Sequence, residues 1–404
     1  MQAEAYRAYC LQSVAAAYDV VLITSEEPTW EVPYLRDCVV VSDPADQAAL
    51  SAAGRQLAER HDLAGVFTWT EWYLVPVARL ARRLGLPTTA PEAMQACRNK
   101  ATSRALFARH GVPSAASVSV RTLGEAEAAA QRIGYPLVLK PAAHAASIGV
   151  NRADTPEQLT AAFAFADQAA GLGRESTSVL VEEYLDGPEV SVECVTYRGE
   201  TSVVAVTRKT VSAPPFFEEL AHCVDAADPL LDVVTPVAQA AIRALGITGG
   251  VSHVEMRLVD GRPRLVEVNG RIGGDMIGHL VHLATGVDLP RAAADIACGR
   301  APDLTPTRSS AAAIQLLYPD TSGTLLRLGF DGASPDWLER VSFQHQVGDQ
   351  LLLPADGGNM WTARIGYLIT TGIDAAEAYA HAAEAYRSLT IEVAAEEEDA
   401  VAAS

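Results

Sequence analysis

The sequence predicts an α/β protein with a parallel amino-terminal part, a central part built around one hairpin, and a β-rich carboxyl-terminal part. Three observations carry this. Short apolar strands alternate with helices through residues 1–90, a pattern that builds a parallel sheet with helices on its faces. Two alternating strands around 250–269 flank the turn Asp260-Gly261-Arg262-Pro263 and present charged residues at every second position. Residues 311–393 are punctuated by Gly323, Gly329, Gly332 and Gly348, as strands joined by tight turns would be.

The length of 404 residues calls for two or three domains. A hydrophobic fraction of 49% can fill their cores. The formal charge of −19 disfavours nucleic acid and acidic membranes as general partners. It leaves room for a local cationic pocket. Of 31 basic residues, the lysines are Lys100, Lys140 and Lys209. A lysine kept where arginine is the rule is a candidate for a task needing a compact charge on a flexible stem; compositional bias is the alternative. Cys10, Cys38, Cys97, Cys194, Cys223 and Cys298 are too scattered for a metal knuckle or a CxxC pair, so they read as free thiols of a reducing, cytoplasmic compartment. The amino terminus is too polar for a signal peptide, and no apolar run is long enough to span a membrane.

In order, residues 3–18 predict a helix, and Val20–Thr24 and Cys38–Val41 strands. A helix is expected at 46–60, a strand at Gly65–Thr68 and a helix at 74–84. Ligands of such sheets bind beyond the carboxyl ends of the strands. Glu26, Glu27, Thr70 and Glu71 stand there, either within reach of a small substrate or simply solvated. No strand and no Gly-rich turn precede the first helix, so a Rossmann fingerprint is missing. Gly85–Pro91 marks a boundary near residue 90. One helix is expected from Pro91 to His110, with Lys100 and Arg104 on a shared face.

Further on, a helix at 125–133 and a strand ending at Lys140 precede the small-residue loop through Ser147, Ile148, Gly149 and Val150. Small side chains let backbone N–H groups ring a phosphate, although a plain turn would look alike. Helix 156–169 leads to strand character at 179–185 and 189–206. Segment 209–224, with Lys209, Phe216, Phe217 and His222, is too irregular for sheet; it either covers a site or merely packs. A helix at 230–245 leads into the hairpin. After Arg271 come a Gly-rich turn, helices at 276–285 and 290–299, a polar join at 301–309, a strand at 361–370, a helix at 374–387 and an acidic tail.

The hairpin carries the chemistry. Glu267 and Asn269 share a strand face. A strict two-residue turn would set Val254 opposite Glu267 and turn Glu255 away. A three-residue loop or a bulge would bring Glu255 and Glu267 together, and we take this second arrangement. Two carboxylates and an amide suit a hard cation such as Mg2+, and Arg271 suits a phosphate. Ordinary salt bridges on a solvated sheet are the alternative.

The ordered set Lys100, Lys140, Ser147-Ile148-Gly149-Val150, Glu182-Glu183-Tyr184-Leu185, Glu189, Glu255, Glu267-Val268-Asn269 and Arg271 resembles the ATP-grasp superfamily over nearly the whole chain. Gly270-Arg271-Ile272-Gly273-Gly274-Asp275 and Pro214-Pro215-Phe216-Phe217-Glu218 resemble the carboxylate–amine ligases that include the dipeptide-forming L-amino acid ligases. The resemblance implies an amino-terminal domain over 1–90 and a clamp over 91–305, with subdomains at about 91–180 and 181–305. A β-rich domain over 306–392 and a tail over 393–404 complete it.

By the same resemblance, Lys100 and Lys140 hold the ATP phosphates and Ser147–Val150 covers them. Glu182, with the backbone of Glu183 and Leu185, meets the adenine edge, and Glu189 the ribose. Glu255, Glu267 and Asn269 ligate two Mg2+ ions, with Mn2+ as a substitute, and Arg271 steadies the transferred phosphoryl group. His253 is the candidate base and His222 a weaker one. The implied partners are small carboxylate and amine substrates, and homodimers are common among look-alikes. The implied reaction joins a carboxylate to an amine through an acyl phosphate, releasing ADP and phosphate. A biotin-dependent type of carboxylase and a non-catalytic nucleotide-binding protein are the competing readings.

Overall fold

The computed structural model describes residues 2–143, 148–172, 176–214 and 217–394. The acidic tail expected from 393 lies outside these from residue 395 on, as do Ser147 and Phe216. The amino-terminal part holds α1 (Gln2–Ala15), β1 (Val20–Thr24), β2 (Leu35–Val40), α2 (Gln47–Arg60) and α3 (Leu74–Leu84). β1 and β2 pair in parallel. Asp46 caps α2 by accepting from the Ala49 N–H, and Gly85 ends α3 in the left-handed conformation. The strand expected at 65–68 is not formed. Those residues join no ladder among the described residues, and strand composition without a paired neighbour does not make a strand.

The expected helix 91–110 is two helices, α4 (Pro91–Arg98) and α5 (Lys100–Arg109). Asn99 breaks it: its backbone is extended and its side chain accepts from the Thr102 N–H, so it caps α5. The Lys100 N–H, freed by the break, donates to the Ala142 carbonyl at 2.8 Å. Next come β3 (Ser117–Val120), α6 (Leu123–Ile133), β4 (Leu137–Pro141), β5 (Asn151–Ala153), α7 (Pro156–Gly171) and β6 (Val179–Glu183). Their sheet is antiparallel in the order β3-β6-β4-β5. Leu137, Leu139, Val179 and Val181 turn one face onto α6 and α7. Strand alternation sends Val138, Lys140 and Glu182 to the other face.

The rest comprises β7 (Glu189–Tyr197), β8 (Glu200–Val211), β9 (Glu219–Asp225), α8 (Leu231–Leu245), β10 (Gly250–Val259) and β11 (Arg262–Asn269), then α9 (Ile277–Thr285), α10 (Leu289–Ala297) and β12 (Ala311–Leu317). It ends with β13 (Gly323–Phe330), β14 (Leu338–Phe343), β15 (Gln350–Leu351), α11 (Met360–Ala363), β16 (Gly366–Gly372), α12 (Ala375–Tyr386) and β17 (Leu389–Ala394). Eight strands form one large sheet in the order β11-β10-β7-β8-β9-β12-β16-β14, beside the small β3-β6-β4-β5 sheet, and β15-β13-β17 form a third. Three corrections follow. Segment 209–224 is largely sheet, with β8 running to Val211 and β9 starting at Glu219. Residues 360–363 are a helical turn, capped by Asn359, so the strand expected from 361 starts at Gly366. The boundary at 306 separates no sheets, because β12 pairs with β9.

One face of the large sheet is largely apolar around its β7, β8, β10 and β11 strands. Val192, Val206, Val254, Met256, Leu265 and Val268 pack there on α8 and its neighbours. The opposite face changes character along each strand. Val195 on β7, Ala205 on β8, Val224 on β9 and Val251 on β10 pack with α9 and α10. Farther along the same face stand Glu193 and Glu189, Lys209, His222, and His253, Glu255 and Arg257. The helices therefore cover the apolar half and leave the polar half open. Among the described residues no helix is long and apolar enough to cross a membrane, and the six cysteines are unpaired.

Candidate active site

The polar half of the large sheet faces Lys140 and Glu182 of the small one across a cleft of about 550 Å³. Its centre is the β10–β11 hairpin. The turn is two residues long, with Asp260 and Gly261 both at positive φ. The strict register that follows holds as far as Met256 opposite Leu265, and then shifts so that Glu255 stands opposite Glu267 and His253 opposite Asn269. Val266 is the extra residue of this bulge, and Arg104 on α5 holds its carbonyl at 2.7 Å. The bulge therefore puts both carboxylates on the cleft face.

Most cations of the cleft are paired with carboxylates. Lys100 contacts Glu267 at 2.9 Å. Lys140 contacts Glu182 at 2.6 Å, and Arg104 grips the same carboxylate with two hydrogen bonds of 2.7 and 3.1 Å. Burial opposes the charge on Glu182, but Arg104 and Lys140 prevail and bring its pKa down to about 2. The side chain expected at the adenine edge thus has both oxygens engaged in an ion pair. The neighbouring backbone is available instead: the Leu185 N–H makes no hydrogen bond among the described residues. Glu183 turns away to Arg264, at 2.6 and 2.8 Å. Glu189, expected at the ribose, bridges Lys209 at 2.9 Å and Arg257 at 3.0 Å.

Glu255 and Glu267 each meet their cations through Oε1. Glu255 accepts from His253 at 3.1 Å and lies 3.5 Å from Lys209. Among the described residues, no group of three or more His, Cys, Asp and Glu is assembled to hold a metal. Two facing carboxylates with Asn269 on the same face form a smaller set of hard oxygen donors. That set fits Mg2+, which commonly takes one or two protein carboxylates and completes its shell with phosphate and water.

His253, the expected base, has both ring nitrogens engaged by carboxylates. It is buried between Glu193, 2.8 Å from Nδ1, and Glu255, 3.1 Å from Nε2. Burial opposes its charge, but the two carboxylates outweigh burial and raise its pKa to about 9. With a carboxylate at each ring nitrogen, it braces Glu255. His222 is fully buried beside Asp275, at 3.5 Å.

Of the phosphate loop, Ile148 and Val150 line the cleft. Gly149 has φ 77°, and a Cβ there would overlap the Ala169 methyl, so only glycine fits. Ser147 lies outside the described residues. Arg271 is anchored by Glu71 of the amino-terminal part, which also pairs with Arg98 at 3.0 Å. Glu71, a solvated residue on the favoured sequence reading, is buried, and Arg271 and Arg98 outweigh that burial to lower its pKa.

Sequence reasoning missed Lys209, Arg257, Asp275 and Arg364. Lys209 is almost wholly buried among Glu219 at 2.6 Å, Glu189 and Glu255. Its rarity singled it out, but the segment around it was not read as strand. Arg364 pairs with Asp275 at 2.6 Å and closes the far end of the cleft. Nothing in the local sequence linked them across 89 residues.

Two sheets facing each other across a cleft of paired lysines and hairpin carboxylates define an ATP-binding clamp. The chain belongs to the ATP-grasp superfamily: residues 133–279 match the ATP-grasp domain model and residues 14–88 the ATP-grasp N-terminal domain model. An uncharacterised protein of Sinorhizobium fredii is 30% identical over 334 residues, covering 81% of this chain and 68% of its own length. Human carnosine synthase 1 is 30% identical over 62% of this chain, which spans 32% of that enzyme. Alanine–anticapsin ligase of Bacillus amyloliquefaciens is 29% identical over 62% of this chain, which spans 57% of it. The fold is similar to that of the L-amino acid ligase from Bacillus licheniformis, with TM-score 0.81, 24% identity, and 96% and 95% of the two chains covered. It is also similar to biotin carboxylase from Campylobacter jejuni, with TM-score 0.70, 16% identity, and 96% and 89% covered.

Proposed function

We propose that the protein is an ATP-dependent ligase that activates a carboxylate, of amino-acid type, as an acyl phosphate and joins it to an amine, releasing ADP and phosphate. The observation that carries this is the bulge-set pair Glu255 and Glu267 beside Asn269, facing Lys100 and Lys140 across one cleft. The sequence similarity to carnosine synthase 1 and alanine–anticapsin ligase supports the same class.

Lys100 and Lys140 would bind the phosphates of ATP, and the buried Lys209 would add a third cation between Glu189 and Glu255. Each lysine would exchange part of its carboxylate contact for phosphate, so the charges are assembled before the substrate arrives and need little reorganisation. Mg2+, held by Glu255, Glu267 and Asn269, would neutralise phosphate charge and align the transferred group. Arg271, fixed by Glu71, would meet the phosphoryl group on the substrate side. His253 would hold Glu255 in place. A closed cleft would keep water from an acyl phosphate that an amine must reach first.

The test is phosphate release from Mg-ATP with single amino acids and their pairwise mixtures, with mass detection of products. The expected result is ADP and phosphate in equal amounts, dependent on both substrates, and a product mass equal to the sum minus water. AMP and pyrophosphate would refute it, and turnover with bicarbonate and biotin alone would assign a carboxylase. Glu267→Gln should lower turnover at least a hundredfold, as loss of a metal-binding carboxylate does. Unchanged turnover in that variant would remove the metal role.

A further inference from the structure

Among the described residues, eight lysines and arginines line the cleft, and seven of them have a carboxylate partner. The exception is Arg7. Its guanidinium donates to the Gly273 carbonyl at 3.2 Å and has no salt-bridge partner among the described residues. In a chain of net charge −19, a half-buried arginine left without an acid points to an anion that arrives with a ligand.

The position of Arg7 says which anion. Gly273 belongs to the turn between Arg271 and Asp275, so Arg7 stands beside the expected phosphoryl centre. Asp275, two residues beyond Gly273, pairs with Arg364 on the same cleft, and such a mixture of signs suits a zwitterion. The helix bearing Arg7 is fixed. Tyr367 donates to the Ala5 carbonyl at 2.6 Å, Tyr6 donates to Gln344 at 3.2 Å, and Ser13 donates to Asp288 at 2.7 Å. The guanidinium is therefore presented from a rigid support, and the Gly273 contact uses only part of its donor fork. Lys100, Lys140 and Arg271 already serve the phosphate side.

We infer that Arg7 recognises the free carboxylate of the amine substrate. This rests on the ligase reading above. An amine that must present nitrogen to the acyl group keeps its carboxylate unchanged through the reaction, so a fixed guanidinium can orient it from binding to product.

The experiment measures binding of the common L-amino acids and of their C-terminal amides by calorimetry, in the presence of Mg2+ and a non-hydrolysable ATP analogue, for wild type, Arg7→Met and Arg7→Lys. Wild type should bind at least one free acid more tightly than its amide. Arg7→Met should weaken that acid roughly 10- to 100-fold, the size of one charge-assisted hydrogen bond, and leave the amide unchanged. Arg7→Lys should recover part of the preference. ATP-analogue affinity and thermal unfolding should be unmoved, whereas a purely structural role would shift both. Equal binding of acid and amide by wild type, or an intact preference in Arg7→Met, overturns the assignment. Phosphate release in parallel reports separately on the ligase reading, since binding preference does not require turnover.

Discussion

Arg104 shows how one side chain carries two duties. It grips Glu182 with Nε and Nη2 and holds the bulge carbonyl of Val266 with Nη2. The pair with Glu182 is buried, so removing the guanidinium leaves Glu182 with Lys140 as its remaining partner and frees the carbonyl. Breaking a buried ion pair from one side costs about 3–5 kcal/mol, because the remaining charge stays desolvated. Arg104→Met should therefore lower unfolding stability by about that amount in urea titration. Arg104→Met with Glu182→Met should restore part of it. A loss under 1 kcal/mol in the single variant would show that Lys140 alone satisfies Glu182. The sequence marked Arg104 as a neighbour of Lys100 on one helix face, but its true partners lie 78 and 162 residues away. Helical spacing identifies neighbours on one element and is silent on partners reached by folding.

At the scale of elements, period and punctuation were informative where each element satisfies its own bonding. The helices over 47–60, 74–84, 123–133, 156–171 and 231–245, and the alternating faces of β10 and β11, follow from spacing and caps. Elements whose existence depends on a partner did not. Residues 65–68 have strand composition but no ladder, and β9 has irregular composition yet is paired on both sides by β8 and β12. The bulge at Val266 is intermediate. Parity required some irregularity to bring Glu255 and Glu267 together, but sequence gave no reason to place it at Val266 rather than in the turn. The break at Asn99 was hidden by good helix formers on both sides, and it carries a prediction. Asn99→Ala should cost about 1 kcal/mol by removing the cap of α5. It should also raise the KM for ATP, because the cap fixes the start of the helix that presents Lys100. Asn99→Asp should restore stability. If Asn99→Ala leaves both stability and KM unchanged, the break is set by the Lys100–Ala142 backbone bond alone.

Across the whole molecule, the cleft is a joint between sheets closed by charge. Glu182 belongs to the small sheet, Arg104 to α5, and Val266 to the edge of the large sheet; Glu71 and Arg271 link the amino-terminal part to the same edge. These contacts replace apolar packing with ion pairs at the place where substrates must enter, so the union of the parts depends on pH. The sign follows from Glu182. Its folded pKa, near 2, lies below the ordinary 4.5, so folding favours the carboxylate form. Its contribution is complete above pH 4.5 and disappears as pH falls toward 2. The depression corresponds to stability on the order of 3 kcal/mol. Glu71 is lowered in the same direction. Unfolding free energy should therefore decline below about pH 5 as these carboxylates take up protons, and decline again as pH rises from 6.5 toward about 9, where folded His253 keeps a proton that the unfolded chain has lost. Glu182→Gln, already uncharged, should start less stable at pH 7 and lose less between pH 5 and pH 3 than the parent. Parallel curves for variant and parent over that interval would place the acid sensitivity elsewhere, in the distributed repulsion of a chain that turns from net negative to net positive.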